Sequence, residues 1–222
     1  IYMFLSGLPA IGKIGPLNFL FGTEWASTAS EPKYGILPFL LSSIYGTLGA
    51  SLIGVPVGLL TAVFLSKAAA PGVRNVVVTA VELLSGIPSV VFGLLGMQVL
   101  VPAVAKVFGK ASGACLLSAI VVLSIMILPS IVSVSVTALN AVPPEYEEAS
   151  LALGATKIET IFKVSIPAAK SGIVAGIVLG IGRAIGETAV VLYTMGGGLI
   201  GNNMADRIVD AFLNTPFEGG RH

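Results

Sequence analysis

Pro143-Pro144-Glu145-Tyr146-Glu147-Glu148-Ala149-Ser150-Leu151-Ala152-Leu153-Gly154-Ala155-Thr156-Lys157-Ile158-Glu159-Thr160-Ile161-Phe162-Lys163-Val164-Ser165-Ile166-Pro167 is a polar, amphipathic island between two segments that are almost purely apolar. Pro143-Pro144 suits the first turn of a helix, where a missing N–H costs nothing. Glu145, Glu147 and Glu148 then stand near the positive end of the helix dipole. Ala149, Ser150 and Ala152 leave a face without bulk, and Gly154 is a natural helix stop. Thr156-Lys157-Ile158-Glu159 has the spacing of a capping box and predicts a second helix. Ile158, Ile161, Phe162 and Ser165 recur at helical spacing as one mostly apolar stripe, expected to hold the element to its neighbours. Pro167 is expected to close it. Two short helices meeting at a glycine make a compact knob whose small-residue face can enter a groove on a partner. An interfacial amphipathic loop without a partner has the same composition.

Outside the island the chain is hydrocarbon-like. Its 222 residues are 55% hydrophobic and 10% charged, with a mean hydropathy of +0.97. Soluble domains carry about 25% charged residues, so this is an integral membrane protein. The 27 glycines and 13 prolines suit helices that pack closely and break on purpose. A net charge of +1 argues against a nucleic-acid partner. Cys115 is alone and His222 is the one histidine, so an intrachain disulfide and a histidine-based metal or acid–base centre are both unexpected.

The fold class expected is all-α: a polytopic transmembrane helical bundle in a single domain, 1–222, cut at both ends from a longer protein. Residues 1–11 read as the tail of a first helix and 12–35 as a polar connection carrying Trp25 and Tyr34, aromatic types favoured at membrane interfaces. Spans are predicted at 36–66, 76–107, 114–139 and 170–196, each long enough to cross about 30 Å of hydrocarbon. Pro56 should kink the first of these, Gly86-Ile87-Pro88-Ser89 and then Pro102 should break the second, and Pro129 lies inside the third. Residues 67–75 and 106–113 read as turns. Lys67, Arg74, Lys157, Lys163 and Lys170 fall on the side of the island and Lys13, Lys33, Lys106 and Lys110 on the other, a slight positive-inside bias.

The island resembles the EAA loop of bacterial ABC-importer permeases in Glu148-Ala149-Ser150, three residues, Gly154, and the distal Ile166-Pro167. Ser150 stands where the family usually has alanine and Ile166 where leucine is common. Three further stretches resemble the phosphate-specific (Pst) permeases: Val81-Glu82-Leu83-Leu84-Ser85-Gly86-Ile87-Pro88-Ser89-Val90-Val91-Phe92-Gly93, Gly182-Arg183-Ala184-Ile185-Gly186-Glu187-Thr188, and Tyr34-Gly35-Ile36 with Tyr45-Gly46-Thr47-Leu48. Glu82 ahead of Leu83-Leu84, and Trp25 ahead of Gly35-Ile36, favour the PstC type over PstA. The resemblance implies a type I ABC-importer permease (MetI-like) fold in a bacterial or archaeal plasma membrane, with the final core helix missing. It implies an importer of inorganic phosphate, without a catalytic site or cofactor of its own. Its partners would be a second, homologous permease, two cytoplasmic ATPase subunits and a phosphate-binding protein outside, with Glu147, Glu148, Ala149, Ser150, Gly154, Ile166 and Pro167 coupling to the ATPase. A related importer of molybdate or sulfate, a secondary transporter or channel, and a role in phosphate sensing are the alternatives.

Two charges fall inside the last span. Arg183 stands at its midpoint, where a charge costs about 2.5–3.5 kcal/mol even on the mild insertion scale. Glu187 follows one helical turn later on the same face. Such a pair must face protein or a water-filled path, either as an ion pair that fixes packing or as a site where Arg183 offers a fork of donors to a passing oxyanion while Glu187 steadies it. The family resemblance places both on the translocation path. Glu82, just before the Gly86–Pro88 break, either pairs across the bundle or is solvated near a surface. Gly172, Gly176 and Gly180 form a small-residue ridge expected to pack helices, with Gly182 and Gly186 as a second pair at the same spacing.

Overall fold

A computed structural model describes residues 2–26, 33–109, 113–187, 190, 191 and 194. The first helix, α1 (Tyr2–Ile14), turns at Gly15 into the short α2 (Pro16–Phe21). The connection is therefore more structured than a polar loop. It ends in a two-residue antiparallel ladder of β1 (Trp25–Ala26) and β2 (Lys33–Tyr34). Trp25 explains the ladder's position: its ring meets Tyr34 edge-on at 5.6 Å and Phe39 edge-on at 5.9 Å, inside the range in which such pairs attract.

The apolar runs become α3 (Leu37–Lys67), α4 (Pro71–Gly86), α5 (Ser89–Leu95) with α6 (Val101–Phe108), and α7 (Leu116–Asn140). The break at Ile87-Pro88 is where the sequence places it. The basic turn after Lys67 is shorter than expected, because Pro71 sits in the first turn of α4, where its lost N–H has no partner to lose. Pro102 does not break its helix either. A π turn, Gly96–Leu100, joins α5 to α6 immediately before it, and the wider turn relieves the clash a proline ring makes with the carbonyl four residues back. Ser89–Phe108 is thereby one apolar helix of 20 residues, long enough to span. Pro56 and Pro129 both lie inside unbroken helices.

The knob comprises α8 (Pro144–Ala152) and α9 (Lys157–Thr160), the latter prolonged by a second π turn, Ile161–Ser165, into α10 (Ile166–Ala168). Pro167 therefore lies inside the helix, and the same device that passes Pro102 passes it. The stop comes at Ala169, where the axis bends by 72° into α11 (Lys170–Ile185). That helix ends at Ile185 with Gly186 as its C-cap, a break inside the predicted 170–196 span. Beyond it Val190, Val191 and Thr194 are described and helical, Thr194 Oγ1 donating to the Val190 carbonyl at 2.6 Å.

Among the described residues α7 is the buried axis of the bundle, with Met126, Ile127, Ile131, Ser135 and Leu139 wholly enclosed. Parallel to it runs α3: Gly46 faces Leu123, Gly54 faces Ile127 and Gly58 faces Ile131. In the opposite direction runs α11, with Gly176 against Val134 and Gly180 against Ile131. A side chain at Gly54, Gly58 or Gly180 would collide, one at Gly176 would be tight, and Gly46 has room for a methyl. A Cβ at Gly54 would lie 2.8 Å from Ile127 Cγ1 and 3.2 Å from the Ser124 carbonyl, and one at Gly180 2.9 Å from Ile131 Cγ1. Small residues are how helices approach closely when lipid is as apolar as the helix surface. Ser124 Oγ adds a polar tie, donating to the Ile120 carbonyl at 2.6 Å with the Ala50 carbonyl of α3 at 3.3 Å. Gly182, expected to pack helices as a second pair with Gly186, faces open space instead, since α11 breaks within a turn of it.

Gly54→Val and Gly180→Val should each lower the unfolding free energy of the purified protein by about 1–3 kcal/mol through overpacking. Gly72→Ala, whose Cβ meets nothing within 4 Å, should stay within about 0.5 kcal/mol; thermal unfolding in detergent compares them.

Candidate functional site

Two places in the bundle collect the polar residues singled out by the sequence. One is the knob at the end where α3 and α7 finish. The other lies at mid-depth, where α11 stops and the α4–α5 break occurs.

In the knob, Gly154 takes φ +89°, which only glycine adopts without cost, and the chain reverses between α8 and α9. The capping box forms as predicted: the Glu159 N–H donates to Thr156 Oγ1 at 3.2 Å, and the Thr156 N–H donates to Glu159 Oε2 at 3.0 Å. The Thr156 N–H and hydroxyl, followed by Lys163, hold the Glu159 carboxyl below its ordinary value. Ser150, standing where alanine is usual, has its hydroxyl 3.0 Å from that of the buried Thr160. A residue that looked like a mild departure therefore locks the two helices of the knob together.

The stripe expected to hold the knob to its neighbours divides: its polar member Ser165 is buried together with Thr160, whereas Ile158 is 70% exposed and Phe162 56%. Leu153, at 90%, and Tyr146, at 56%, are exposed too. Glu148, Ala149 and Pro167 are exposed as well. Helical spacing identifies a stripe but not its neighbour, and of this stripe only Ser165 is fully buried.

Glu147 makes the inward contact. Its Oε1 accepts the hydroxyl of Ser165 at 2.8 Å and pairs with the ammonium of Lys67, at the end of α3. Burial pushes the Glu147 carboxyl up, but the bonds from Lys67 and Ser165 and the charge of Lys67 outweigh it and hold its pKa below the ordinary 4.5. A depressed carboxylate stabilises the fold at pH above its unfolded value and loses that contribution only as pH falls through the lower folded value. The pair is thus intact across the neutral range. Beside it Ser66 Oγ donates to Asn140 Oδ1 at 2.7 Å. Beneath it Ile166 packs on Ala62, Leu139, Val142, Ala169 and Ile173.

At mid-depth, Ala184 packs with Ile127 and Ile131, near the centre of α7, and with Val55 of α3. Its neighbour Arg183 is half-buried in the last turn of α11. Glu187 lies beyond the helix end, its N–H bonded to the Ala184 carbonyl at 3.3 Å. The two side chains do not share a helical face, because Gly186 ends the helix between them. Leu84 and Ile87, flanking the α4–α5 break, pack on Ala50, Val122, Met126 and Val190, so both discontinuities reach the same level of α7. Glu82 is exposed on α4. Among the described residues, the side chains of Glu82, Arg183 and Glu187 have no hydrogen bond or ion pair with one another or with any other residue. Thr188, the last residue of the quoted signature, lies outside the described residues.

The chain matches the family model "Binding-protein-dependent transport system inner membrane component" over residues 54–217. It is 40% identical over 198 residues to the "Probable ABC transporter permease protein YqgH" of Bacillus subtilis, covering 88% of this chain and 64% of that protein. Against the "Phosphate transport system permease protein PstC" of Xylella fastidiosa (strain 9a5c) it is 36% identical over 199 residues, 81% of this chain and 61% of that protein. The chain thus spans a little under two thirds of these relatives. Among solved structures, an inward-facing form of the MetNI methionine ABC transporter superposes with a TM-score of 0.56 at 25% identity, covering 79% of this chain and 85% of that chain.

Thr156→Ala should lower stability by about 1 kcal/mol through loss of the cap. Gly154→Ala should cost about 1–2 kcal/mol through backbone strain alone, because its Cβ would meet nothing within 4 Å. Gly154→Asn should cost less than Gly154→Ala; unfolding of the three variants in detergent gives the order.

Proposed function

This chain belongs to the family of binding-protein-dependent transport system inner membrane components, in a MetI-like fold, and we propose that it is the membrane-spanning subunit of an ATP-driven importer of inorganic phosphate. The observation that carries the substrate reading is Arg183: a half-buried cation in the last turn of α11, next to Ala184, which packs near the centre of α7, without a counter-charge among the described residues and beside two breaks in the helices around it. An unpaired arginine at that depth is tolerated where it meets water or an anion. Its planar fork matches two oxygens of a tetrahedral oxyanion. Broken helices leave backbone groups that need a cavity or a protein partner, a feature of transport paths. Relatives named for phosphate transport favour phosphate over sulfate or molybdate.

Glu187 would steady Arg183 in a state in which the two approach, and Glu82, exposed on α4, would face the second, homologous permease or the path between the two. The knob would dock on a cytoplasmic ATPase. Its exposed Tyr146, Leu153, Ile158 and Phe162 form an apolar surface of the kind that the centre of an interface buries. Glu148, Ala149 and the Ser150 backbone would line the same contact, with Gly154 setting the shape and Ile166-Pro167 anchoring it to the bundle. ATP would be hydrolysed by that partner, and a phosphate-binding protein outside would deliver the substrate.

ATP-dependent uptake of labelled phosphate into vesicles carrying the full-length protein and its partner subunits, with sulfate and molybdate as competitors, tests the reading. Resistance to both competitors is the expected result, and displacement by either moves the substrate to that oxyanion. Arg183→Ala should cut uptake by about tenfold or more, the size of a lost charge-assisted bond, while the complex still purifies intact. Loss of the complex would make Arg183 a packing residue.

Leu153→Asp and Ile158→Asp should remove the ATPase from the purified complex, and its retention in both would refute docking through this face.

A further inference from the structure

We infer that Glu147 is a positioning residue, which transmits movement of the knob to the transport helices from within the chain and does not itself touch the ATPase. The inference rests on the docking reading above. The two carboxylates Glu147-Glu148 look equivalent in the sequence, but the fold separates them. Glu148 is exposed, whereas Glu147 turns inward. The side chains of Lys67 and Glu147 keep only 15% and 26% of their surface. One oxygen, Glu147 Oε1, joins three parts of the chain: α8, which carries it, the end of α3 through Lys67, and the π turn through Ser165.

Each of these parts leads to the middle of the bundle by a different route. From Lys67, α3 runs back along α7 through the close contacts at Gly58 and Gly54. From Ser165, the chain passes Ile166, bends by 72° at Ala169 and continues as α11 to Arg183. Apolar contacts such as those of Ile166 allow neighbours to slide past each other. A charge-assisted hydrogen bond shared by two donors is directional and shorter in range, so it resists sliding. A push on α8 from below therefore reaches both α3 and α11 at the same carboxylate. The Ser66–Asn140 bond, adjacent in the chain, ties α3 to the end of α7 and keeps the end of α3 in register while it is pulled. Removing the carboxylate charge leaves Lys67 without its counter-ion in a place largely closed to water, while the Ser150–Thr160 contact still holds α8 to α9.

The full-length protein in proteoliposomes with its partner subunits, scored by phosphate moved per ATP hydrolysed, provides the test. Glu147→Gln and Lys67→Met should each leave the ATPase bound while that ratio falls by about three- to thirtyfold, the range of coupling mutations outside either binding site. The double variant should fall no further than the worse single one, because both remove the same link. Ser165→Ala, which spares the ion pair, should fall by less and serves if either single variant fails to fold. An unchanged ratio, additive losses, or loss of the ATPase from the Glu147→Gln complex would overturn the inference. Leu153→Asp and Ile158→Asp are made in parallel: if both leave the ATPase bound, the docking reading fails, whatever Glu147 does. If they release the ATPase while Glu147→Gln transports normally, only the inference about Glu147 fails.

Discussion

Everything in this bundle is referred to α7, and the constraint that makes it so is the absence of a hydrophobic driving force between helices in lipid. With no water to expel, helices hold together only where they come close enough for dispersion and backbone dipoles to act. The glycines of α3 and α11 create that closeness on two sides of Ile127 and Ile131. Because a Cβ at Gly54 or Gly180 would overlap α7, the register of all three helices is fixed to within a fraction of a turn. That register sets Arg183 at the depth where Ala184 packs on Ile127 and Ile131 and brings Lys67 beside Glu147. The two candidate sites are consequences of one packing arrangement.

Much of this was legible in the sequence, and the parts that were not share a cause. The start of the knob at Pro143-Pro144, the turn at Gly154 and the Thr156–Glu159 box were readable because they depend on local backbone chemistry, which residue type dictates. The Gly172, Gly176, Gly180 ridge was readable from spacing. The outward face of Ile158 and Phe162 was not: periodicity shows that a stripe exists, and only the partner that covers it decides which way it turns. The break after Ile185 was hidden for a related reason. Gly182 and Gly186 have the spacing of a packing ridge, yet they serve an ending helix, and the four-residue interval alone does not separate the two uses. Glu147 and Glu148 are adjacent and identical, so only the position of Lys67, eighty residues earlier in the chain, tells them apart.

The prolines make the same point about local rules meeting tertiary needs. Pro102 and Pro167 each stand two residues after a π turn, Gly96–Leu100 and Ile161–Ser165. In an α-helix either ring would collide with the carbonyl four residues back; in both places the wider turn removes the collision and the helix goes on. Sequence rules predicted a break at the first and a stop at the second, because those rules assume an α-helical approach. The second π turn has a further consequence. It carries Ser165, and widening the helix at that point directs the hydroxyl at Glu147 while Phe162 stays outside. The turn that accommodates Pro167 thus also aims the residue that ties the knob to the bundle. Pro167 lies in the distal motif read as part of the loop's signature, yet it is exposed and bonded to nothing specific. Its place in the loop is then tied to the π turn that precedes it rather than to any contact of its own ring.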